Sequence, residues 1–192
     1  MSKVYIVLTH TGTLLSKIIK FFEKDEFSHV SLSLDNQLKE MYSFGRLNPK
    51  NPFIGGFVHE SINHGTFKRF KYTRTKIYSL DVTEKQYITM KNQINYIKKN
   101  RNNYKFNIIG LFAVGINKKI KFKNAFYCAE FVKYILESSG VEIELPDMIK
   151  PEDFKNLENA KEIYNGKLKD YNVEKLKLID KIKNSIRKEA LV

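Results

Sequence analysis

The chain has 192 residues, of which 42% are hydrophobic, and it carries a formal net charge of +13. This length supports one self-sufficient core, and 14 Phe and 11 Tyr residues exclude general disorder. The single cysteine excludes an intramolecular disulfide and a multi-cysteine zinc site, and no apolar run approaches the ~18 residues of a membrane-spanning helix. The first ten residues do not have the pattern of a signal peptide, so we expect a cytoplasmic protein.

The positive charge is concentrated in the middle of the sequence. Residues 66–123 contain 15 basic and two acidic residues, which equals the excess of the whole chain. Such a segment can attract nucleic acid, an anionic membrane surface or an anionic polymer. Lysine-rich solvated faces explain the same charge, so charge alone does not name the function.

The first half of the sequence predicts strands on both sides of a helix. Residues 3–9 are β-branched and aromatic, which is typical of a buried strand, and apolar residues at helical spacing predict a helix over 13–23. Residues 28–34 alternate, with apolar side chains on one face and His29 with two serines on the other. Residues 38–44 then return as the hairpin partner. Three glycines and two prolines predict a loop over 45–57.

The second half alternates strand and helix patterns. Thr83 and Gln86 have the spacing of a capping box, and Gly140 stands where a helix would end. A proline followed by two acids predicts a short helix that begins at Pro151. In chain order we predict a strand over 66–82, a helix over 84–99, a buried helix over 107–116, a strand over 119–123, a helix over 124–139, the short helix, and a lysine-rich amphipathic helix over 172–190. Adjacent strands joined by tight turns favour an antiparallel sheet with helices packed against it, which is the α+β class.

Cys128 is the first candidate for chemistry. It lies between a predicted strand and a predicted helix, within about the first turn of that helix. Backbone amides and the positive end of the helix dipole favour a thiolate there. A lone cysteine on a helix is more often a small buried hydrophobic residue, so its position alone does not assign catalysis.

An imidazole at His29 would give this thiol a general base. His29 lies on the polar face of a predicted strand, which would hold its ring more rigidly than a loop. Its competitors His10, His59 and His64 lie next to turns and loops, and a single histidine is more often a partly buried residue hydrogen-bonded to a carbonyl. Glu40 on the return strand of the hairpin could orient the ring, although a one-residue register shift would place it on the opposite face.

Several short motifs occur together in a distinctive order. They are Ser28-His29-Val30-Ser31-Leu32, Met41-Tyr42-Ser43-Phe44-Gly45-Arg46, Gly55-Gly56-Phe57-Val58-His59-Glu60 and Tyr127-Cys128-Ala129-Glu130-Phe131-Val132, followed by the helix at Pro151. Their order and spacing resemble the circularly permuted NlpC-type cysteine hydrolases, the YiiX/YebB-like branch of the papain-like superfamily. In that branch the histidine strand precedes the cysteine helix. The resemblance covers about residues 3–155.

The resemblance implies a papain-like α+β domain over residues 1–155. Residues 156–192 lie outside it, and we predict that they form a basic helical extension packed on the same domain. It implies Cys128 as nucleophile, His29 as base and a polar third residue, for which Glu40 best matches the acidic member of the family. Ala129 stands where many relatives carry serine after the cysteine. Known relatives hydrolyse amide bonds of cell-wall peptides or act on acyl chains.

The leading hypothesis is therefore a cytoplasmic thiol hydrolase that cleaves an amide or peptide bond through an acyl-enzyme, without a metal or organic cofactor. A rival hypothesis is a nucleic-acid-binding module that uses the aromatic and cationic side chains of residues 66–74. A half-buried strand explains that alternation more simply, which makes nucleic acid the less favoured partner. A third hypothesis is an inactive papain-like scaffold, or an acyltransferase that contacts an anionic membrane or polymer through residues 66–123 and the 172–190 helix.

Overall fold

A six-stranded antiparallel sheet forms the centre of the protein. The computed structural model describes residues 1–12, 26–48, 51–115, 118–176, 178, 181 and 182. The strands are β1 (Ser2–His10), β2 (His29–Ser33), β3 (Met41–Asn48), β4 (Asn51–Glu60), β5 (Arg74–Val82), β6 (Lys105–Phe106), β7 (Ala125–Phe126) and β8 (Ala160–Lys167). The order in the sheet is β4-β3-β2-β1-β5-β8, and β6 and β7 form a separate parallel pair.

The helices alternate with these strands along the chain. They are α1 (Gly65–Arg69), α2 (Glu84–Lys99), α3 (Ile108–Gly115) and α4 (Cys128–Ser138), and 3₁₀ turns occupy Arg101–Asn103, Pro151–Asn156 and Leu168–Asp170. An antiparallel sheet combined with helices agrees with the predicted α+β class. No helix within the described part of the chain is long and apolar enough to cross a membrane.

The larger of two hydrophobic clusters joins the sheet to α2 and α4. Phe131 of α4 is fully buried, and its ring centroid lies 5.3 Å from that of Phe44 in β3 and 5.8 Å from that of Phe57 in β4. The end of α4 is closed by Gly140, whose φ of +76° suits glycine, and by the Val141 amide, which bonds the Leu136 carbonyl at 3.1 Å. These contacts fix α4, and therefore its first residue, against the sheet.

Several predicted elements are confirmed. The structure forms the first strand, the β2–β3 hairpin, α2, α3, α4 and the short helix at Pro151 close to their predicted positions. The prediction that α3 is buried is only half right, since Ile109 and Phe112 are 56% and 40% exposed. The capping box of Thr83 and Gln86 begins α2, and Met90, Ile94 and Ile97 bury the predicted apolar face. The predicted helix over 13–23 lies outside the described residues, as does most of 172–190 beyond residue 178; residues 173–176 are helical.

The predicted strand over 66–82 is wrong in its first half. Residues 65–69 form α1, a turn follows, and only Arg74–Val82 form a strand. The helix lets Phe67 enter the smaller hydrophobic cluster on the opposite face of the sheet, while Lys68 and Arg69 remain exposed. Tyr72, which a half-buried strand would have placed inside or beside the core, is 76% exposed.

The predicted loop over 45–57 is also wrong, because its glycines occupy paired strand positions. Gly45 pairs with Gly56, and Arg46 pairs with Gly55, within the β3–β4 hairpin. A Cβ at Gly55 would lie 2.7 Å from the Phe106 ring, so glycine here permits close packing of β6 on β4. The glycines that indicate a loop therefore serve close approach within a sheet.

Two further predictions differ from the structure. Residues 119–123 form no strand, and Ile120 and Phe122 are 37% and 51% exposed. The region predicted as a helical extension contains β8, which pairs with β5 at the edge of the sheet. None of its residues is fully buried, which agrees with its place at the edge of the sheet.

Candidate active site

His29 is the first residue of β2 and lies at the end of this strand that is not paired with β3. The β2–β3 pairing joins Leu32 to Tyr42 and Ser33 to Met41, at the other end of β2. A Cβ at Gly45 would lie 3.4 Å from His29 Cε1, so the absence of a side chain on β3 leaves room for the imidazole. The side chain of His29 is 21% exposed.

Glu60, the last residue of β4, is the carboxylate that contacts this imidazole. Its Oε1 lies 2.9 Å from His29 Nε2, and its side chain is only 11% exposed. Ser31 donates a hydrogen bond to the other oxygen, Oε2, and its hydroxyl also lies 3.4 Å from His29 Nε2. The carboxylate is thus held by two neighbours from β2, one at each oxygen.

Ser43 adds a second hydroxyl to the surroundings of Glu60. Its Oγ is buried and has no hydrogen bond to a described atom, although it lies close enough to Glu60 to help lower the pKa of that carboxyl. By strand alternation Ser43 shares the face of Glu60, since β3 pairs Met41 with Glu60 and Ser43 with Val58. A polar row therefore surrounds a carboxylate that would otherwise be costly to bury.

Cys128 is the first residue of α4 and is 3% exposed. The residues before it are anchored on both sides. The Asn107 amide bonds the Phe126 carbonyl at 2.9 Å, and the Tyr127 hydroxyl bonds the Ile149 carbonyl at 2.8 Å. The Glu130 carboxylate accepts a hydrogen bond from the Tyr127 backbone amide at 3.2 Å. These bonds fix where the helix begins and hence where the thiol lies.

The electrostatic environment favours a charged imidazole. Burial alone would lower the pKa of His29, but the Glu60 carboxylate and the hydrogen-bonding Cys128 sulfur outweigh it and raise this pKa to about 10. Burial would likewise raise the pKa of Glu60, and the His29 imidazolium together with Ser31 and Ser43 holds it below its ordinary value. The arrangement is therefore an imidazolium between a carboxylate and a thiol.

The structure brings together two of the three residues chosen from the sequence, Cys128 and His29, and it puts Glu60 in the place predicted for Glu40. Glu40 lies beyond the other end of β2, where its carbonyl accepts the Leu34 amide at 3.0 Å, and its carboxylate accepts the Tyr42 hydroxyl. The hairpin register pairs Leu32 with Tyr42, so Glu40 shares the face of the apolar residues rather than that of His29.

The sequence prediction misses Glu60 because it treats residues 45–57 as a loop and so places no strand before Glu60. Residues 55–60 pair with β3 as part of β4, and this pairing places Glu60 on the face of Ser43. The competing histidines have other contacts: His59 Nε2 lies 2.7 Å from the Lys39 carbonyl, and His10 Nδ1 lies 3.3 Å from Ser28 Oγ. A strand interpretation of the glycine-rich segment would supply the correct carboxylate.

The remaining donors do not form a metal centre. The described ranges contain no cluster of three or more His, Cys, Asp or Glu side chains that could hold a metal ion. The candidate groups of the site are a carboxylate, an imidazole and a thiol. A scan of family models and a search of curated proteins found no match to this chain.

Proposed function

We propose that this protein is a thiol hydrolase of circularly permuted papain-like type, which cleaves an amide or peptide bond with Cys128 as nucleophile and His29 as acid and base. The observation that carries the proposal is the His29 imidazole, whose pKa is raised, against the effect of burial, by the Glu60 carboxylate 2.9 Å from Nε2 and by the Cys128 sulfur at the first residue of a helix. A structural cysteine does not require a charged imidazole, whereas an imidazolium is one of the groups that activate a thiol nucleophile.

Each residue has a separate task. The imidazolium stabilises the thiolate of Cys128, and Glu60 acts as a positioning residue that keeps the ring oriented and charged. Because Nε2 is bonded to Glu60, Nδ1 is the ring nitrogen left to serve the sulfur. Glu60 thus takes the place that the sequence resemblance gives to Glu40.

The reaction proceeds in two halves. The Cys128 sulfur attacks the carbonyl carbon, and the C–N bond breaks as His29 gives its proton to the leaving amine, which leaves a thioester on the enzyme. Neutral His29 then takes a proton from water, whose oxygen attacks the thioester. The C–S bond breaks, the carboxylic acid leaves, and the thiolate and imidazolium are restored.

The start of α4 offers a donor for the oxyanion formed in both halves. The first amides of a helix have no partner within the helix, and the Cys128 amide is the first of these. It is adjacent to the attacked carbonyl because it belongs to the nucleophile itself. An acyl acceptor other than water would convert the same intermediate into an acyltransferase reaction.

Rates of alkylation test the proposal. At pH 6.5 iodoacetamide should label Cys128 rapidly in the wild type, and His29→Ala should slow labelling by about 10- to 100-fold because an ordinary thiol is only about 1% ionised there. His59→Ala is the matched control, since it removes a histidine from β4 that contacts Lys39 rather than the thiol. Equal rates in wild type and His29→Ala would refute the pair.

Acylation provides a second measurement. The wild type treated with p-nitrophenyl acetate should carry an acetyl group on the peptide that contains Cys128, detected by mass spectrometry after an acid quench. His29→Ala should accumulate far less of this adduct, whereas His59→Ala should match the wild type. An acetyl group found only on lysines would refute a nucleophilic role for the cysteine.

A further inference from the structure

Apolar side chains are unusually exposed on α3 and on the segment that follows it. Ile109 and Phe112 of α3 are 56% and 40% exposed, and Ile120 and Phe122 are 37% and 51% exposed. Ile109 and Phe112 are three residues apart and share one face of the helix. The second pair lies alongside, because the Asn107 side chain bonds the Ile120 carbonyl at 3.0 Å.

An open groove lies within this apolar surface. Its volume is about 490 Å³, and Phe106, Ile108, Ile109 and Phe122 supply its apolar lining. Lys105 and Lys123 line the same groove. Apolar side chains that converge on an open groove in this way indicate a contact surface rather than scattered exposed residues.

Lysines surround the apolar side chains. Lys105, Lys118, Lys119, Lys121 and Lys123 are all exposed, and residues 105–123 contain no acidic residue. Within the described part of the chain, Lys119 alone among them forms an ion pair, with Asp147 at 2.5 Å. We call these five lysines, with Ile109, Phe112, Ile120 and Phe122, the basic apolar patch.

We propose that the basic apolar patch docks the protein on the surface of an anionic phospholipid bilayer. Lysines around protruding apolar side chains match the two layers of such a surface, with phosphates outside and acyl chains beneath. A nucleic acid would explain the lysines, but it stacks on aromatic faces and gives no role to Ile109 and Ile120. An anionic polymer likewise leaves the isoleucines unexplained.

The patch lies beside the start of α4. Ala125 lines the groove, and the three residues from there to Cys128 span at most about 10 Å. Docking would therefore hold the beginning of the cysteine helix near the bilayer. The binding itself does not depend on the thiol and is tested separately from the proposed hydrolysis.

Sedimentation with lipid vesicles tests the proposal on the full chain. Vesicles of phosphatidylcholine with 30% phosphatidylglycerol should bind the wild type at 0.15 M salt, and vesicles of phosphatidylcholine alone should bind it much more weakly. Lys121→Gln/Lys123→Gln should reduce binding to the anionic vesicles by about fivefold for each lysine. The matched control Lys85→Gln/Lys91→Gln removes the same charge from exposed positions of α2 and should lose far less.

Removal of the apolar side chains distinguishes a bilayer from other polyanions. Ile120→Ser/Phe122→Ser should reduce binding to anionic vesicles at least tenfold, while binding of a single-stranded oligonucleotide should change little. Circular dichroism of each variant should match the wild type, because the altered side chains are exposed. The proposal is overturned if the wild type does not bind anionic vesicles, if this double variant binds them normally, or if the α2 control loses as much binding as Lys121→Gln/Lys123→Gln.

Discussion

The charge of His29 depends on which carboxylate faces it. Burial disfavours an imidazolium, and the Glu60 carboxylate at 2.9 Å is the largest of the influences that reverse this. Ser31 holds the same carboxylate by its second oxygen. Glu60 is therefore the main residue that keeps the imidazole charged, and its removal should be visible at the ring.

Replacement of Glu60 by glutamine should lower the pKa of His29. In the wild type this pKa is raised to about 10. Glu60→Gln removes the main cause and leaves the burial, so the pKa should fall by several units towards the ordinary value of about 6.5 or below it. Titration of the His29 Cε1 proton by nuclear magnetic resonance measures the change.

Glu40→Gln is the matched control for that titration. Glu40 accepts a hydrogen bond from the Tyr42 hydroxyl, so its replacement should leave the His29 titration unchanged. The rate of Cys128 labelling by iodoacetamide at pH 6.5 should be slow in Glu60→Gln and equal to that of the wild type in Glu40→Gln. A result with the two variants exchanged would restore Glu40 as the partner of His29.

Local sequence patterns are sufficient to predict Cys128 and His29, but they are insufficient to predict the carboxylate. Cys128 and His29 are marked by such patterns, a helix start and a polar position in an alternating strand. Glu60 is marked only by its register in the sheet, which depends on where the β3–β4 turn falls. Spacing along the chain does not determine a contact between β2 and β4, which lie on either side of β3.

Glycines and short helices account for most of the differences between the predicted and the observed strands and helices. Gly55 and Gly56 indicate a loop in the sequence, because glycine is common in turns, but in the structure they permit close packing in β4. The segment around Phe67 alternates as a strand would, yet five residues form α1 because this buries Phe67 beneath the sheet. Long periodic elements such as α2 and α4 are predictable, since their apolar faces repeat over several turns.

An alanine at Gly55 should destabilise the β3–β4 hairpin. Its Cβ would lie 2.7 Å from the Phe106 ring and 2.8 Å from the Gly45 carbonyl oxygen, and a backbone carbonyl cannot move aside easily. Overpacking of this kind costs about 1–3 kcal/mol in the free energy of unfolding. Urea denaturation followed by circular dichroism measures it.

The adjacent glycine provides the comparison. A Cβ at Gly56 would meet only the Leu47 side chain, at 3.3 Å, and that side chain is 56% exposed and free to turn away. Gly56→Ala should therefore shift the urea midpoint much less than Gly55→Ala. Equal shifts in the two variants would mean that strand propensity, rather than the contact with Phe106, determines the effect.

At the scale of the whole molecule, the site exists only when the sheet and α4 have both formed. β2 and β4 bring His29 to Glu60 through consecutive hairpins, and α4 adds Cys128 from a much later part of the chain. The unfolded chain exposes the same groups to water, where they titrate near their ordinary values. The charges of the site are therefore linked to the stability of the fold.

This linkage predicts a specific dependence of stability on pH. The folded pKa of His29 is raised to about 10, so its contribution is complete below the unfolded value of about 6.5 and is lost as the pH rises towards 10. The folded pKa of Glu60 is lowered, so its contribution is present above the unfolded value of about 4.5 and is lost as the pH falls below it. The pair should stabilise the fold most between about pH 4.5 and 6.5.

The double variant His29→Gln/Glu60→Gln removes both charges and keeps polar side chains of similar size. Both proteins carry Cys128→Ala in addition, because the thiol would otherwise titrate together with the imidazole. In that background the difference in unfolding free energy between the protein with His29 and Glu60 and the variant without them should be largest near pH 5.5. Above pH 6.5 it should decline by up to about 1.4 kcal/mol per pH unit, because the folded protein then retains a proton that the unfolded chain has released. Urea denaturation from pH 4 to pH 10 measures both curves, and groups elsewhere in the chain cancel in the difference. A difference that stays constant over this range would show that Glu60 does not keep His29 charged in the folded protein.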